Sequence, residues 1–222
     1  MSESPRTERS RVRRLPKRAS YERATIDAIL DEAMIAHVGI ADAGRPVVVP
    51  MAFARRGDEI LLHGSSASRI MKALAAGAEA CVVVTHLDGI VVARSGFHSS
   101  MNYRSVVLFG AGSAIEDEAA KRAALDALVN HLIPGRASEV RAATAEEMKI
   151  TTIVAIPIAE ASAKMRSGPP VDDEEDYAAP VWGGVVPLRI DAGEPQPDGR
   201  STPDIPVPES VGRLRKRSSP AS

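Results

Sequence analysis

Residues 35–63 read IAHVGIADAGRPVVVPMAFARRGDEILLH, which is three extended runs separated by two short turns. The runs are residues 35–41, 46–54 and 59–63, rich in Val, Ile, Leu and Ala. Asp42-Ala43-Gly44 and Arg56-Gly57-Asp58 supply turn residues between them. Connections this short join antiparallel neighbours, so the stretch predicts a β-meander. Pro50 cannot donate a ladder hydrogen bond, so its strand should be an edge, a bulge or a place where a ligand meets the backbone.

The sequence on both sides of this meander adds more strands than helices. Extended runs are predicted at residues 80–86, 90–95, 103–115, 151–158 and, as a further possibility, 181–188. Asp88-Gly89 predicts a two-residue hairpin turn between the first two of these. Helices are predicted after a Ser20 cap, from Arg69 to Gly77, and from the acids at 116–118 to Pro134. Six or more strands joined by short turns predict a mainly β fold with a few helices, an antiparallel barrel.

Composition excludes several classes of protein. Hydrophobic residues make up 44% of the 222 residues and charged residues 26%, which is ordinary for a globular domain. The 28 basic and 29 acidic residues give no overall reason to propose nucleic acid or acidic lipid as the main partner. No apolar run approaches the roughly 18 residues of a membrane span. The single cysteine, Cys81, cannot form an internal disulfide, and together with an N-terminus lacking a signal segment it favours a cytoplasmic protein.

Charge and proline content mark the ends of the folded part. Residues 6–18 contain seven basic residues, one acid, Glu8, and almost no apolar residue. Because such a stretch has little to bury, residues 1–19 are predicted to be a disordered, solvated leader. Such a basic arm can bind nucleic acid, but without interleaved aromatic residues this function is disfavoured. Residues 190–222 are rich in Pro, Ser and Arg and are predicted to be a disordered tail. One domain is therefore expected at residues 20–189.

The stretch LLHGSSASRIMKAL, residues 61–74, passes from a strand through a polar turn into a helix. Serines, Gly64 and Arg69 surround the first helical turn, where unpaired backbone N–H groups attract an anion, and Lys72 adds charge one turn later. These features predict a phosphate site. The alternative interpretation is that Ser66 or Ser68 only caps the helix.

Other motifs do not indicate catalysis or metal binding. The five histidines show no metal-ligand spacing, so no metal site is predicted. His63 and His98 could hydrogen-bond a ligand or supply a proton, or could simply face water at the barrel rim. The acidic run at residues 172–176 is interpreted as a solvated loop. Trp182, the only tryptophan, is either a core residue or a ring that covers a ligand.

The order of these motifs resembles the pyridoxamine 5'-phosphate oxidase-like flavin-binding proteins, and within them the flavin-nucleotide-binding branch and the nitroimidazole reductases. The resemblance covers most of residues 14–188. The matching motifs, in chain order, are His63-Gly64-Ser65-x-x-Ser68-Arg69, Asp88-Gly89, Asn102-Tyr103-Arg104-Ser105-Val106-Val107-x-Phe109-Gly110 and Trp182-x-Gly184.

This resemblance implies an antiparallel split β-barrel that forms a homodimer and binds FMN in clefts between the two subunits. It implies that the strand with Val48, Val49 and Pro50 lies along the flavin. The phosphate would lie in the turn with the anion site argued above. The residues implied to bind the cofactor are Val48, Val49, Pro50, His63, Gly64, Ser65, Ser68, Arg69, Lys72, Tyr103, Arg104, Ser105 and Trp182. His63 is the one candidate for handling protons, and no catalytic residue is certain.

The sequence departs from the true oxidases of this family. Their strand beside the flavin carries two cations that grip the phosphate, whereas residues 47–51 here are Val-Val-Val-Pro-Met. Oxidation of pyridoxamine phosphate is therefore doubtful. The expected function is an FMN-dependent oxidoreductase acting on an unknown small molecule. The alternatives are a flavin-binding protein without turnover, and a haem-binding or deazaflavin-binding protein of the same fold.

Overall fold

In the computed structural model, which describes residues 7–200 and 205–218, ten strands form one antiparallel sheet. The strands are β1 (Ala19–Ser20), β2 (Ile35–Asp42), β3 (Arg45–Arg56), β4 (Glu59–Ser65), β5 (Glu79–Val92), β6 (Ser100–Ala111), β7 (Ser113–Ala114), β8 (Thr151–Pro157), β9 (Glu160–Arg166) and β10 (Gly184–Pro187). The α-helices are α1 (Arg23–Glu32), α2 (Arg69–Ala75), α3 (Glu118–Leu132), α4 (Ala145–Ile150) and α5 (Glu209–Ser218).

The sheet follows the order β1-β9-β6-β5-β2-β3-β4-β8-β7, and β10 pairs with the far end of β5. β2, β3 and β4 are the predicted meander. The two ends of the order do not pair with each other, so the barrel is open. The prediction of a mainly antiparallel split β-barrel with a few helices is confirmed.

The main core lies between one face of this sheet and the helices α1 and α2. α1 contributes Ile26, Ile29 and Leu30, which recur on one face of the helix as its sequence period predicts. Phe53 is the one fully buried aromatic side chain among the described residues of this core. A second, smaller cluster lies under α3, where Leu128 packs near Leu61 of β4. The core is thus almost entirely aliphatic, as the low aromatic content predicts.

The predicted hairpin at Asp88-Gly89 is wrong. β6 pairs with β5 on both sides of Asp88, and the register shifts between Leu87 and Gly89, so Asp88 forms a bulge in one continuous strand. The Asp88 carboxylate accepts a hydrogen bond from Arg104 at 2.8 Å instead of closing a turn. Gly89 is needed because β10 approaches it closely: an added Cβ would lie 3.0 Å from the Val186 carbonyl oxygen.

Several other elements differ from the sequence prediction. Ser20 does not cap α1, whose N-cap is Glu22; it belongs to β1 and pairs with Ala163 of β9. β9 was not predicted, because Glu160–Arg166 consists mainly of Ala, Ser and charged residues without a strand pattern. Helix α4 was also not predicted, although Thr144 and Glu147 form a capping box at its start.

The described parts of the leader and the tail contact the domain. Ser10 is buried, and Tyr21 accepts a hydrogen bond from the backbone N–H of Val12 at 3.0 Å. In the tail, Ser210 is buried against Glu139. Residues 1–6 of the predicted leader, and 201–204 and 219–222 of the predicted tail, lie outside the described residues. Among the described helices, none is long and apolar enough to cross a membrane.

Candidate active site

The face of the sheet that points away from the main core, which we call the outer face, carries an apolar surface across β2, β3, β5 and β6. Strand register aligns its side chains in rows. One row runs from Val48 through Gly39 and Cys81 to Phe109. The next row runs from Pro50 through His37 and Val83 to Val107. Most of these side chains are exposed or half-buried, so the outer face can take a ligand or a second protein surface.

A shallow groove lies on the first of these rows. Its cavity volume is about 480 Å³. Its walls include Gly39, Val48, Cys81 and Phe109, with Arg9 at one side. A groove with mainly apolar walls fits a flat aromatic group, whereas the Glu79 carboxylate, which also lines it, offsets the charge of Arg9.

Arg9 is held in place although it belongs to the predicted leader. Its guanidinium bonds Glu79 at 2.9 Å and Glu160 at 3.0 Å, and its Cζ lies 4.7 Å from the centre of the Phe109 ring. These hydrogen bonds lower the pKa of the Glu160 carboxyl. Burial in the groove raises the pKa of the Cys81 thiol, and the charge of Arg9 opposes that rise. The leader therefore forms one wall of the groove rather than a free arm over this stretch.

The turn between β4 and α2 contains the predicted phosphate site. Ser68 occupies the N-cap position of α2, as one of the two interpretations expected, but its side chain makes no capping hydrogen bond. Arg69 is 71% exposed, and its Nε lies 3.4 Å from the Asp42 carboxylate. Lys72 is also exposed. The turn thus carries two cations and a free hydroxyl at a helix start, a combination that can hold an anion.

Gly64 and Ser65 determine the backbone path of this turn. Gly64 has no room for a side chain, because an added Cβ would lie 2.8 Å from Met71 Cγ in α2. His63 is exposed and directly precedes it. Ser65 Oγ accepts a hydrogen bond from the backbone N–H of Ala67 at 3.2 Å, which fixes the backbone of the loop. The groove and the turn are neighbours, since Gly44 lines the groove two residues beyond Asp42.

Some predicted cofactor residues are engaged elsewhere. Val49 faces the core and packs against its buried cluster, whereas Val48 and Pro50 are exposed on the outer face. The Arg104 guanidinium is bonded to Asp88 and to Glu32 of α1, and these carboxylates raise its pKa. Arg104 therefore joins α1 to the β5 bulge.

Tyr103 and Ser105 lie on strand β6 but away from the groove. They pair with Leu87 and Thr85 of β5, whereas the groove lies beside Cys81. The Ser105 hydroxyl donates to the Lys164 carbonyl oxygen at 3.1 Å. Trp182 is 64% exposed and precedes β10, which begins opposite Val92. Val92 lies eleven positions after Cys81 in β5, which corresponds to roughly 35 Å along the strand. One chain therefore does not bring Trp182 and the groove together.

The five histidines differ in their surroundings. His86 and His131 lie within hydrogen-bonding distance of backbone carbonyl oxygens, and His98 contacts Asp173. His37 and His63 are exposed, and within the described residues no hydrogen bond to either ring is found. Their imidazoles can serve as ligands without breaking an existing contact. His37 lies in the middle of the outer face, which the sequence did not indicate because its register with β3 and β5 was not known.

The groove residues Arg9, Gly39, Cys81 and Phe109 were also missed by sequence reasoning. They come from four separate segments, and only the pairing of the strands brings them together.

Comparison with known proteins agrees with this architecture. The family model described as pyridoxamine 5'-phosphate oxidase matches residues 22–165. Flavocytochrome Anf3 from Azotobacter vinelandii is 45% identical, with a TM-score of 0.89 over 95% of this chain and 99% of that one. The FAD and heme binding protein from Mycobacterium smegmatis is 44% identical, with a TM-score of 0.86 over 89% of this chain and 97% of that one.

A more distant structure shares the fold alone. A putative 5-nitroimidazole antibiotic resistance protein from Bacteroides thetaiotaomicron is 24% identical, with a TM-score of 0.56 over 66% of this chain and 85% of that one. No curated protein matches the chain. The family match spans more than half of the sequence and the split-barrel topology agrees with it. The chain therefore belongs to the pyridoxamine 5'-phosphate oxidase family.

Proposed function

We propose that this protein binds a flavin and a haem and acts as an oxidoreductase on a small molecule. The observation that carries the proposal is likeness along nearly the whole chain to a flavocytochrome and to an FAD and heme binding protein, at 45% and 44% identity. When bound, a flavin supplies hydride or electron transfer and a haem supplies one-electron chemistry. The protein's own part is to bind and orient these groups and to control the access of water.

The groove and the neighbouring turn fit the two ends of a flavin nucleotide. The apolar groove beside Val48 and Phe109 suits the ring system, and Arg69 with Ser65 and Ser68 would hold a phosphate. FMN, the flavin implied by the family resemblance, and FAD share this ribityl phosphate. Identity of 44% to an FAD and heme binding protein favours FAD, and chromatography of the extracted flavin distinguishes the two.

A bound haem would need a side chain that binds its iron and an apolar surface against its ring. His37 and His63 are the two exposed histidines without a hydrogen bond to the ring in the described part of the chain. His37 stands in the apolar outer face, and His63 stands beside the phosphate turn. Both are candidate ligands of the haem iron. In either case the ring nitrogen that does not bind iron would hydrogen-bond another protein group or water.

We further propose that the protein is a homodimer that shares its sites. Trp182 and the groove lie at opposite ends of β5, so a second copy related by a two-fold axis could bring Trp182 to the groove of the first. The exposed apolar side chains of Ile35 and Val48 support an interface on the outer face. Light scattering should give twice the chain mass; the mass of one chain would contradict this arrangement.

The lone thiol of Cys81 agrees with the predicted cytoplasmic location, which stays a prediction.

Replacing Arg69 by alanine tests the phosphate assignment. Loss of a charged hydrogen bond should weaken flavin binding by about 1.5 to 3 kcal/mol, roughly 10- to 150-fold. Asp42→Asn should instead strengthen binding, because the Asp42 carboxylate competes with the phosphate for Arg69. Fluorescence titration of the flavin-free protein measures both effects.

The matched control is Arg56→Ala, which removes a partly exposed arginine from the last position of β3, outside the proposed phosphate turn. Its flavin affinity should stay within about twofold of the unmodified protein. Equal affinity in the Arg69 and Arg56 variants would show that the phosphate does not lie at this turn.

A further inference from the structure

A histidine and two aspartates from distant parts of the chain meet near the C-terminal end of β5. His98 belongs to the loop between β5 and β6, and Asp173 and Asp176 belong to the segment that leads to β10. The candidate ligand atoms of the three side chains all lie within 4.8 Å of one another. His98 Nε2 lies 3.2 Å from Asp173 Oδ2. This cluster is separate from the groove and from the phosphate turn.

The loop that carries His98 is held by its own hydrogen bonds. The backbone N–H of His98 donates to Ser95 Oγ at 3.2 Å, and Ser99 Oγ donates to the Ser95 carbonyl oxygen at 3.1 Å. The Phe97 ring lies edge-on to the imidazole, with the ring centres 5.1 Å apart. The imidazole is therefore placed before any ligand arrives.

The aspartates are anchored independently of His98. Their neighbour Asp172 is fully buried and accepts hydrogen bonds from the backbone N–H of Arg94 at 2.9 Å and from its guanidinium at 3.1 Å. Asp173 and Asp176 lie at the two ends of one turn, since the backbone N–H of Asp176 donates to the Asp173 carbonyl oxygen at 2.9 Å. The buried ion pair thus fixes the segment directly against the loop that carries His98.

The distance between His98 and Asp173 suits a small divalent cation. Two ligands that each lie about 2.0 to 2.1 Å from one metal ion are separated by roughly 3.0 to 3.4 Å, and the His98 to Asp173 distance is within that range. One imidazole nitrogen with two carboxylate oxygens is a ligand set for Zn²⁺, Mn²⁺ or Fe²⁺ rather than for Ca²⁺, which prefers oxygen alone. Water would complete the coordination.

The local charge also favours a cation. Four carboxylates, at residues 173–176, follow the paired Asp172. Across the described ranges, none of these four forms an ion pair with a lysine or an arginine; the one ion-pair contact is that of Asp173 with His98. A divalent ion bound between His98, Asp173 and Asp176 would neutralise part of this charge. It would also tie the loop after β5 to the segment that carries Trp182.

We propose that His98, Asp173 and Asp176 form a binding site for a divalent transition-metal ion. Zn²⁺ is the probe: the metal-stripped full chain, titrated by calorimetry, should bind one Zn²⁺ at this cluster. His98→Ala and Asp176→Asn should each weaken that binding at least about tenfold. Zn²⁺ should raise the melting temperature of the unmodified protein and should raise it less in the His98 variant. Co²⁺ in place of Zn²⁺ gives a visible spectrum that reports nitrogen and oxygen ligands.

The matched control is Glu174→Gln with Glu175→Gln, which removes two carboxylates from the same segment without touching the three ligands. These changes should alter Zn²⁺ affinity by less than about threefold, which is the range expected for screened surface charges. Equal losses in the Glu and Asp variants would show diffuse attraction instead of a site and would overturn the proposal. Unchanged affinity in both His98→Ala and His98→Gln would overturn it as well.

Discussion

Replacing Phe53 by alanine is expected to lower the free energy of unfolding by about 3 to 5 kcal/mol. Phe53 is fully buried in β3, and its ring packs at a tilt against His131 of α3 with the centres 5.0 Å apart. His131 Nε2 in turn lies 2.6 Å from the Ala33 carbonyl oxygen at the end of α1. In a core built mainly from aliphatic side chains, this one ring therefore links three elements, and its removal would leave a cavity.

Urea denaturation measures this loss, and the sequence offers a matched control. Phe97 is the same residue type but is 91% exposed in the loop after β5. Phe97→Ala should change the free energy of unfolding by no more than about 0.5 kcal/mol. Comparable destabilisation by the two substitutions would mean that Phe53 does not occupy the core position described above.

Replacing Asp172 by alanine is expected to be almost as costly, about 3 kcal/mol. The Asp172 carboxylate is fully buried, and it is the one charged partner of Arg94 among the described residues. Arg94 Nε is already buried without a hydrogen-bond partner, so loss of Asp172 would leave a cation poorly satisfied. Without Asp172 the Arg94 guanidinium would no longer be held over the Tyr177 ring, whose centre lies 4.9 Å from Arg94 Cζ, so this cation–π contact would weaken as well.

A double-mutant cycle separates the ion pair from other effects of the substitution. Arg94→Ala in the Asp172→Ala background should cost less than Arg94→Ala alone, because the pair acts as one unit. Thermal unfolding measures the stability of each variant, and limited proteolysis reports whether residues 167–183 detach. Glu175→Ala, which removes an exposed carboxylate from the same acidic run, is the control and should leave both readouts nearly unchanged. Strictly additive losses from Arg94 and Asp172 would contradict the coupling.

Local sequence patterns predicted the parts of the fold that depend on local interactions. The strands of the meander agree with β2, β3 and β4 within a few residues, because turn residues and apolar runs mark both ends of each strand. The Asp88-Gly89 prediction was wrong because the same dipeptide can close a turn or form a bulge. Only the long partner strand β6, which pairs on both sides of it, decides between the two. β9 was missed because its residues lie in a strand through pairing with β6 and not through their own preference.

The candidate site shows the same difference between features set by consecutive residues and features set by long-range contacts. The turn with Ser65, Ser68 and Arg69 could be recognised because all of its residues are consecutive. The groove wall formed by Arg9 could not, since its placement depends on Glu79 and Glu160, two residues far along the chain. The cluster of His98 with Asp173 is similar: the acidic run was interpreted as a solvated loop, and the imidazole that meets it lies 75 residues earlier.

Whether the purified protein binds a flavin is the most direct test of the proposed function. The absorption spectrum of the full chain, recorded as isolated and after addition of FAD, FMN and haem, gives the answer while circular dichroism monitors folding. We expect flavin bands from a bound nucleotide and a Soret band from bound haem. A folded protein that remains colourless and binds neither FAD nor FMN would contradict the proposed function.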